Sequence, residues 1–348
     1  MKKLFLSILA VAALASCSKT ESAYVDQDQE IKLAPVASMV TKANVTAAID
    51  GTTYPTREDF GVVAYWKNVP AGEKFNDKKN ITTYLGNENN GAVKFINKGS
   101  FWGGNTTYYW PKNGSLRFAA YSPFELNQDA KVYHNIETDV YTIKDYVQPT
   151  NTKDTWDLMI APTSESYTAQ TSANNVSVVF EHALSWITLK VKATETAKEA
   201  FTLKELTIKN VCYTGNLVAD MINKTKIWEE GTVKNDYTVY TGSVWVTEDA
   251  AIRENVDKGT LIIPQPTTKV YIKFDQRPLD GTPALTDQEL TIPLTLNSNM
   301  DEWEAGKHYV YTIIFDLDEI LINPSVEDWE DVNVNDVPTT EVKVATTE

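Results

Sequence analysis

The chain has 348 residues, with 47 acidic against 32 basic, and a net charge of −15. That balance repels phosphate backbones and excludes nucleic acid as a partner. The length suits two domains of ordinary size, and the only cysteines are Cys17 and Cys212.

Residues 1–16 read as an export signal. Lys2 and Lys3 supply a positive start, and the apolar run 4–15 is too short to cross a bilayer as a helix. Leu14-Ala15-Ser16-Cys17 resembles the lipobox of bacterial lipoproteins, where small residues admit a peptidase and the cysteine thiol takes a diacylglycerol. The resemblance implies lipidation at Cys17 and membrane attachment through its acyl chains. Cys212 then has no partner for an intramolecular disulfide. In the strand-like "LTIKNVCYTG" it reads as a small buried hydrophobe.

Residues 18–59 are polar and rich in Ala, Thr and acids, as a tether would be. Their best strand is "QEIKLAPVASMV" (29–40), which Pro35 should break or confine to a sheet edge. From Phe60 the chain becomes short strands and turns: "FGVVAYW" (60–66), "AVKFIN" (92–97), "TYYW" (107–110), "SLRFAAY" (115–121) and "DLMIAP" (157–162). "PKNG" between the third and fourth is a turn signal. The polar stretch 163–175 marks a boundary.

A second set opens with "VSVVFEHALSWITLKVKA". Val176, Val178, Phe180, His182 and Leu184 alternate onto one face, whereas Ile187, Leu189 and Val191 continue on odd positions. A one-residue register change near Ser185 follows. "KVYIKFD" places Val270, Ile272 and Phe274 inward, and "ELTIPLTL" does so for Leu290, Ile292, Leu294 and Leu296. "KHYVYTIIFDLDEILI" closes the set, and residues 248–259 are the best short helix. The expected fold is all-β, two tandem β-sandwich domains behind a lipoprotein signal peptide. The expected divisions are the signal 1–16, an acylated leader 17–42, sandwiches at 43–172 and 173–330, and a tail 331–348.

Catalytic chemistry is not visible. His134, His182 and His308 lack zinc-binding spacing, and Glu181 and His182, adjacent on a strand, point to opposite faces. No catalytic residue, metal ligand or cofactor is assigned. "DLDE" (316–319) lacks the glycine turn and closing carboxylate of a calcium loop. Paired carboxylates of a glycoside hydrolase meet in space rather than in sequence, so a secreted hydrolase stays open as a third reading. Trp66, Trp110, Trp186 and Trp245 lie in or beside apolar strands and are expected in the core, while Trp102, between Phe101 and Gly103, is expected to be exposed.

Several phrases, in order along the chain, resemble the fimbrillin-like family of lipoprotein pilins from Gram-negative anaerobes. They are "YYWPKNGSLRFAAYSP" (108–123), "DLMIA" (157–161), "VVFEHALSWITLKV" (178–191), "LIIPQP" (261–266), "WEAGKHYVYTI" (303–313) and "VEDWEDV" (326–332). The resemblance implies two transthyretin-like sandwiches, residence at the outer membrane and in a fimbrium, and other pilin subunits as partners. It also implies that a trypsin-like protease removes the lipidated leader with its first strand. Another subunit then fills the groove by β-strand addition. Residues 29–40 are the candidate strand, followed by Thr41-Lys42-Ala43 where the family commonly has Thr-Arg-Ala, so processing is expected at Lys42, with Arg57 as the alternative. In the tail, Val332 and Val334, and Val342 and Val344, alternate with polar residues and are candidate donor-strand positions. A competing reading is a surface lipoprotein that keeps its lipid and binds glycans by stacking on Trp102 and Tyr108.

Overall fold

A computed structural model of the chain describes residues 25–37, 54–70, 75, 80–87, 91–126, 130–151, 156–169, 175–248, 259–277, 283–296 and 301–328. Up to residue 161 the strands are β1 (Val25–Glu30), β2 (Leu33–Ala37), β3 (Phe60–Lys67), β4 (Thr82–Leu85), β5 (Val93–Asn97), β6 (Trp102–Gly104), β7 (Tyr109–Pro111), β8 (Ser115–Ser122), β9 (Lys131–Asn135), β10 (Val140–Val147) and β11 (Met159–Ala161). There follow β12 (Val176–His182), β13 (Ser185–Ala193), β14 (Phe201–Cys212), β15 (Thr214–Asp220), β16 (Thr225–Glu230), β17 (Lys234–Trp245) and β18 (Thr260–Ile262). The last are β19 (Gln265–Pro266), β20 (Lys269–Gln276), β21 (Leu285–Pro293), β22 (Glu302–Trp303), β23 (Lys307–Phe315) and β24 (Ile320–Asp328). The protein is all-β, as its alternating apolar residues require. The helix expected at 248–259 lies, except for its two end residues, outside the described residues.

Three cores hold these strands. The first is enclosed by the sheet β4-β3-β5-β6-β2-β12-β11-β8, which closes on itself because β3 also pairs with β8. Leu33, Phe60, Val62, Phe95, Phe118, Met159 and Phe180 fill it. The "PKNG" turn forms as expected: Gly114 takes φ +71° between β7 and β8, and the Trp66 indole donates to the Asn113 carbonyl at 2.8 Å. A Cβ at Gly114 would press on the Lys67 carbonyl, so glycine is needed there for both space and dihedral. The second core lies where Val63, Tyr65 and Ala119, on the other face of β3 and β8, meet Tyr141, Ile143, Leu217 and Ala219 of the sheet β16-β15-β10-β9.

The third core is a sandwich of β18-β13-β23-β24 against β17-β14-β20-β21. Leu189, Val191, Tyr311 and Ile313 face Leu206, Ile208, Ile272 and Ile292 across it. Val270, Ile272 and Phe274 point inward, as do Ile292, Leu294 and Leu296, while Leu290 packs at the rim. Trp66, Trp110 and Trp186 are buried, but Trp245 is 50% exposed. Its strand β17 is a sheet edge, and alternation turns the Trp245 ring outward between Val244 and Val246, which face the third core.

The register change near Ser185 is a change of sheet. Val176, Val178, Phe180 and His182 face inward from β12 in the first sheet, and Ile187, Leu189 and Val191 do so from β13 in the third core. Ala183 and Leu184 make the crossing. The Ala183 amide donates to the Leu158 carbonyl, and the Leu184 carbonyl accepts from the Gly306 amide, both at 2.8 Å. Strand pairing does not follow the boundary expected at 172/173. β12 joins the first sheet, and the β15–β16 hairpin adds to β10 from the preceding half of the chain.

Candidate functional site: the channel filled by β2

The five residues of β2 complete the first core. β2 runs parallel to β12 from Leu33 opposite Val176 to Ala37 opposite Phe180. On its other side Leu33 pairs with Trp102 of β6. Ile31, Leu33 and Ala37 are buried on the inner face, and full burial of one leucine contributes about 1.5–3 kcal/mol relative to exposure. The ladder starts where the Val176 amide donates to the Lys32 carbonyl at 3.0 Å, and the Ile31 amide donates to the Tyr108 carbonyl at 2.8 Å. Before it, β1 pairs antiparallel with β7, while Lys98 bridges Glu30 at 3.1 Å and the Gln29 side-chain amide donates to the Ala169 carbonyl at 2.6 Å.

Pro35 neither breaks this strand nor puts it at an edge. In a parallel ladder the backbone groups of successive residues face alternate neighbours. Lys32 faces β12, so Leu33 and Pro35 face β6, where Leu33 has the one paired position. The proline therefore lacks its N–H on the side where no ladder bond is required.

The described chain resumes at Tyr54, which caps the channel. Its ring stacks on Phe180 at 5.4 Å and meets Phe60 and Trp102 edge-on at 5.6 and 5.8 Å. The phenol bonds the Ser122 hydroxyl at 2.7 Å, and burial holds its pKa far above the ordinary value. Nothing in the local sequence pattern marked this tyrosine, because its partners lie up to 126 residues away. Burial and neighbouring Asp59 also raise the Glu58 carboxyl. Arg57 lies in an exposed turn between Tyr54 and Phe60.

Trp102 and Tyr108 are half-buried and pack against the first core. Trp102 was expected to be exposed; the edge of Tyr54 and the Glu58 carbonyl, 3.5 Å from its indole nitrogen, account for the difference. Cys17, Lys42, Val332, Val334, Val342 and Val344 lie outside the described residues.

A polar cluster missed in the sequence sits on the β9–β10 hairpin. His134 Nδ1 bonds the Tyr65 hydroxyl at 2.8 Å and Nε2 bonds Asp139 at 3.0 Å, while the Thr163 amide donates to Asp139 at 3.1 Å. Burial pushes the Asp139 carboxyl up, but bonds from His134 and Thr163 outweigh it and hold the carboxyl below its ordinary value. The cluster underlies a cleft of about 720 Å³ lined by Tyr133, Asn135, Thr138 and Thr142. The signal available was His134 alternating in phase with the apolar Val132. Both His134 nitrogens are engaged and Tyr65 is closed to solvent, so the cluster fixes the hairpin rather than activating a nucleophile.

The other histidines are structural. His182 is fully buried with Nδ1 3.0 Å from Asp157, and Glu181 points the opposite way to Lys226 at 2.9 Å. His308 stacks on Trp186 at 3.7 Å and bonds the Thr188 hydroxyl at 2.9 Å. Cys212 is buried, with its thiol directed at the Thr214 and Gly231 carbonyls. In "DLDE", Asp316 accepts from the Leu317 amide and the Thr194 hydroxyl, closing a turn. Among the described residues no group of histidines, cysteines and carboxylates is placed to hold a metal ion.

The profile of the fimbrillin-like family matches residues 36–329. No curated protein matches the chain. Among solved structures, a candidate cell adhesion protein from Bacteroides ovatus superposes with a TM-score of 0.52 at 16% identity, over 88% of this chain and 99% of that one. A candidate cell adhesion protein from Bacteroides uniformis gives 0.49 at 19% identity, over 86% and 99%. A fimbrial assembly protein from Parabacteroides distasonis gives 0.41 at 13% identity, over 90% and 100%. With the family match spanning most of its length, the chain belongs to the fimbrillin-like family and is a structural protein rather than an enzyme.

Proposed function

We propose that this protein is a fimbrial subunit, or a fimbrillin-like accessory to one, that serves adhesion at the cell surface and assembles by protease-triggered strand exchange. In this reading it is exported as a lipoprotein and held at the outer membrane by acyl chains on Cys17. A trypsin-like protease then cuts after Lys42, or at Arg57, and the leader leaves with β2. The observation that carries the reading is the position of β2. It is a five-residue strand between β6 and β12, with Leu33 and Ala37 in the core. Its loss would open an apolar channel along Val176, Val178 and Phe180 and unpair the ladder edge of β12, an acceptor for an extended segment of another subunit. The tail valines Val332, Val334, Val342 and Val344 are the proposed donor positions. Arg57 is the less suitable cut, because it would also release Tyr54, the cap of the same core.

Limited trypsin digestion followed by size-exclusion chromatography and mass spectrometry tests this. Loss of the leader should convert monomers into oligomers, and a synthetic peptide of residues 29–40 added in excess should suppress the conversion. A trimmed chain that stays monomeric with unchanged thermal stability would sink the reading.

A further inference from the structure

We infer that the outer edge of β16 is a self-association surface that joins two copies of this chain side by side, independently of the β2 channel. β16 ends the sheet β16-β15-β10-β9, and no strand among the described residues pairs with its other side. The Gly231 amide donates to the Thr214 carbonyl at 2.8 Å. By the alternation of an antiparallel ladder, Thr225, Ile227 and Glu229 then turn their backbone groups to β15, and Lys226, Trp228 and Glu230 turn theirs to the open edge.

The exposed face of this hairpin is unusually apolar for an edge. Ile227 is 65% exposed and its cross-strand partner Val218 45%, with Ile222 in the connecting turn at 67%. Edge strands are commonly protected by an inward-pointing lysine. Lys226 is such a lysine, but it is bound to Glu181 of β12 at 2.9 Å, with only 8% of its side chain exposed. Its charge is therefore already compensated and does not bar a neighbouring strand.

The strand sequence says which neighbour fits. From Lys224, the turn residue just before β16, to Glu230 it reads Lys-Thr-Lys-Ile-Trp-Glu-Glu, basic at the start and acidic at the end. Antiparallel pairing with itself about a two-fold axis through Ile227 sets Thr225 opposite Glu229 of the second copy and brings Lys224, in the turn just before the ladder at φ +54°, alongside its Glu230. Lys226 lies opposite its Trp228, and the two Ile227 side chains meet on the axis. This register also places the outward-facing backbone groups of Lys226 and Trp228 against each other, as a hydrogen-bonded pair requires. A parallel in-register pairing would set like charges together, and an antiparallel shift to an axis through Trp228 would put each Ile227 opposite Glu229 of the second copy. The chemistry thus selects a second copy, and the two exposed apolar patches merge into one covered strip.

Sedimentation velocity on the chain lacking residues 1–17, which leaves every described strand in place, tests the surface while β2 still fills its channel. A monomer–dimer equilibrium is expected in the micromolar range. Ile227→Lys should weaken it at least about tenfold, as loss of a central apolar contact does, with the melting temperature unchanged. Lys224→Glu and Glu230→Lys should each weaken it, and the two together should restore it. A disulfide-linked dimer from Ile227→Cys is also expected, since directly opposed positions of a non-hydrogen-bonded pair lie within disulfide reach. A chain that stays monomeric, or a charge swap that fails to restore dimerisation, overturns the inference. Neither result bears on strand exchange, which needs the leader removed.

Discussion

The first and third cores are both closed β structures, but they are completed in opposite ways. The third is held by long ladders, such as β14 hydrogen-bonded on both sides to β17 and β20, and β13 paired with β23 from Trp186 to Ala193. It is locked by Trp303, fully buried, whose indole donates to the Tyr311 hydroxyl at 2.8 Å. The first is finished by β2, a short parallel strand whose partner β12 is more than 130 residues away in sequence. A core closed by long ladders has no short detachable part. One closed by a distant short strand can lose that strand while its remaining strands keep their mutual pairing. Under the proposed strand exchange, the asymmetry puts assembly in the first core and permanence in the third.

The largest effect should come from breaking the permanent core. Trp303→Ala removes a large side chain packed between the sheets and deprives the Tyr311 hydroxyl of its donor. Such truncations cost about 3–5 kcal/mol. Urea unfolding should show a loss of that size, and adding the 29–40 peptide should not recover it. Recovery by that peptide would mean that the two cores are not distinct in the way described.

Leu33→Ala should cost somewhat less, about 2–5 kcal/mol with the lower half favoured because β2 is short and its surroundings can close. The diagnostic is in which region responds. Hydrogen exchange should quicken at Val176, Val178 and Phe180 opposite β2, and remain slow at Leu206 and Ile272. Uniform acceleration across both would show that β2 stabilises the whole molecule and is no separable plug.

Much of this arrangement was legible in the residues, and the part that was not has a physical cause. Period-two alternation correctly set Val270, Ile272 and Phe274 inward, and the phase shift at Ser185 marked the crossing from β12 to β13. Alternation says which side chains share a face, but not which sheet receives the face. Hence the β15–β16 hairpin, which reads as part of the second set, adds to β10 of the first. Pro35 argued for an edge because propensity counts a lost donor without knowing where that donor would point. Trp245 was placed in the core from its apolar neighbours, yet on an edge strand it is the outward residue between inward Val244 and Val246. The Tyr54 cap and the His134 cluster were illegible for the same reason, since each is assembled from residues distant in sequence.

The smallest expected effect separates the regions by acid. The first half of the chain carries the buried Asp139 cluster, whereas the lowered carboxyls of the third core's sheet, Asp275 and Asp287, are held by Lys204 at the surface, where solvent screens the pairing. A carboxyl whose pKa is depressed on folding adds stability above its unfolded value, and that contribution is lost as pH falls through the folded value. Asp139→Asn should therefore lower stability at neutral pH by roughly 1–3 kcal/mol, the scale of a broken buried hydrogen-bond group. The difference from the unmodified chain should begin to shrink as pH falls below about 4, the ordinary carboxylate value, and be lost as the native carboxyl protonates at still lower pH. Urea titrations of both proteins at neutral and acid pH measure it directly. A gap that stays constant with pH would mean that Asp139 acts through shape alone, and the acid sensitivity of the first half would need another source.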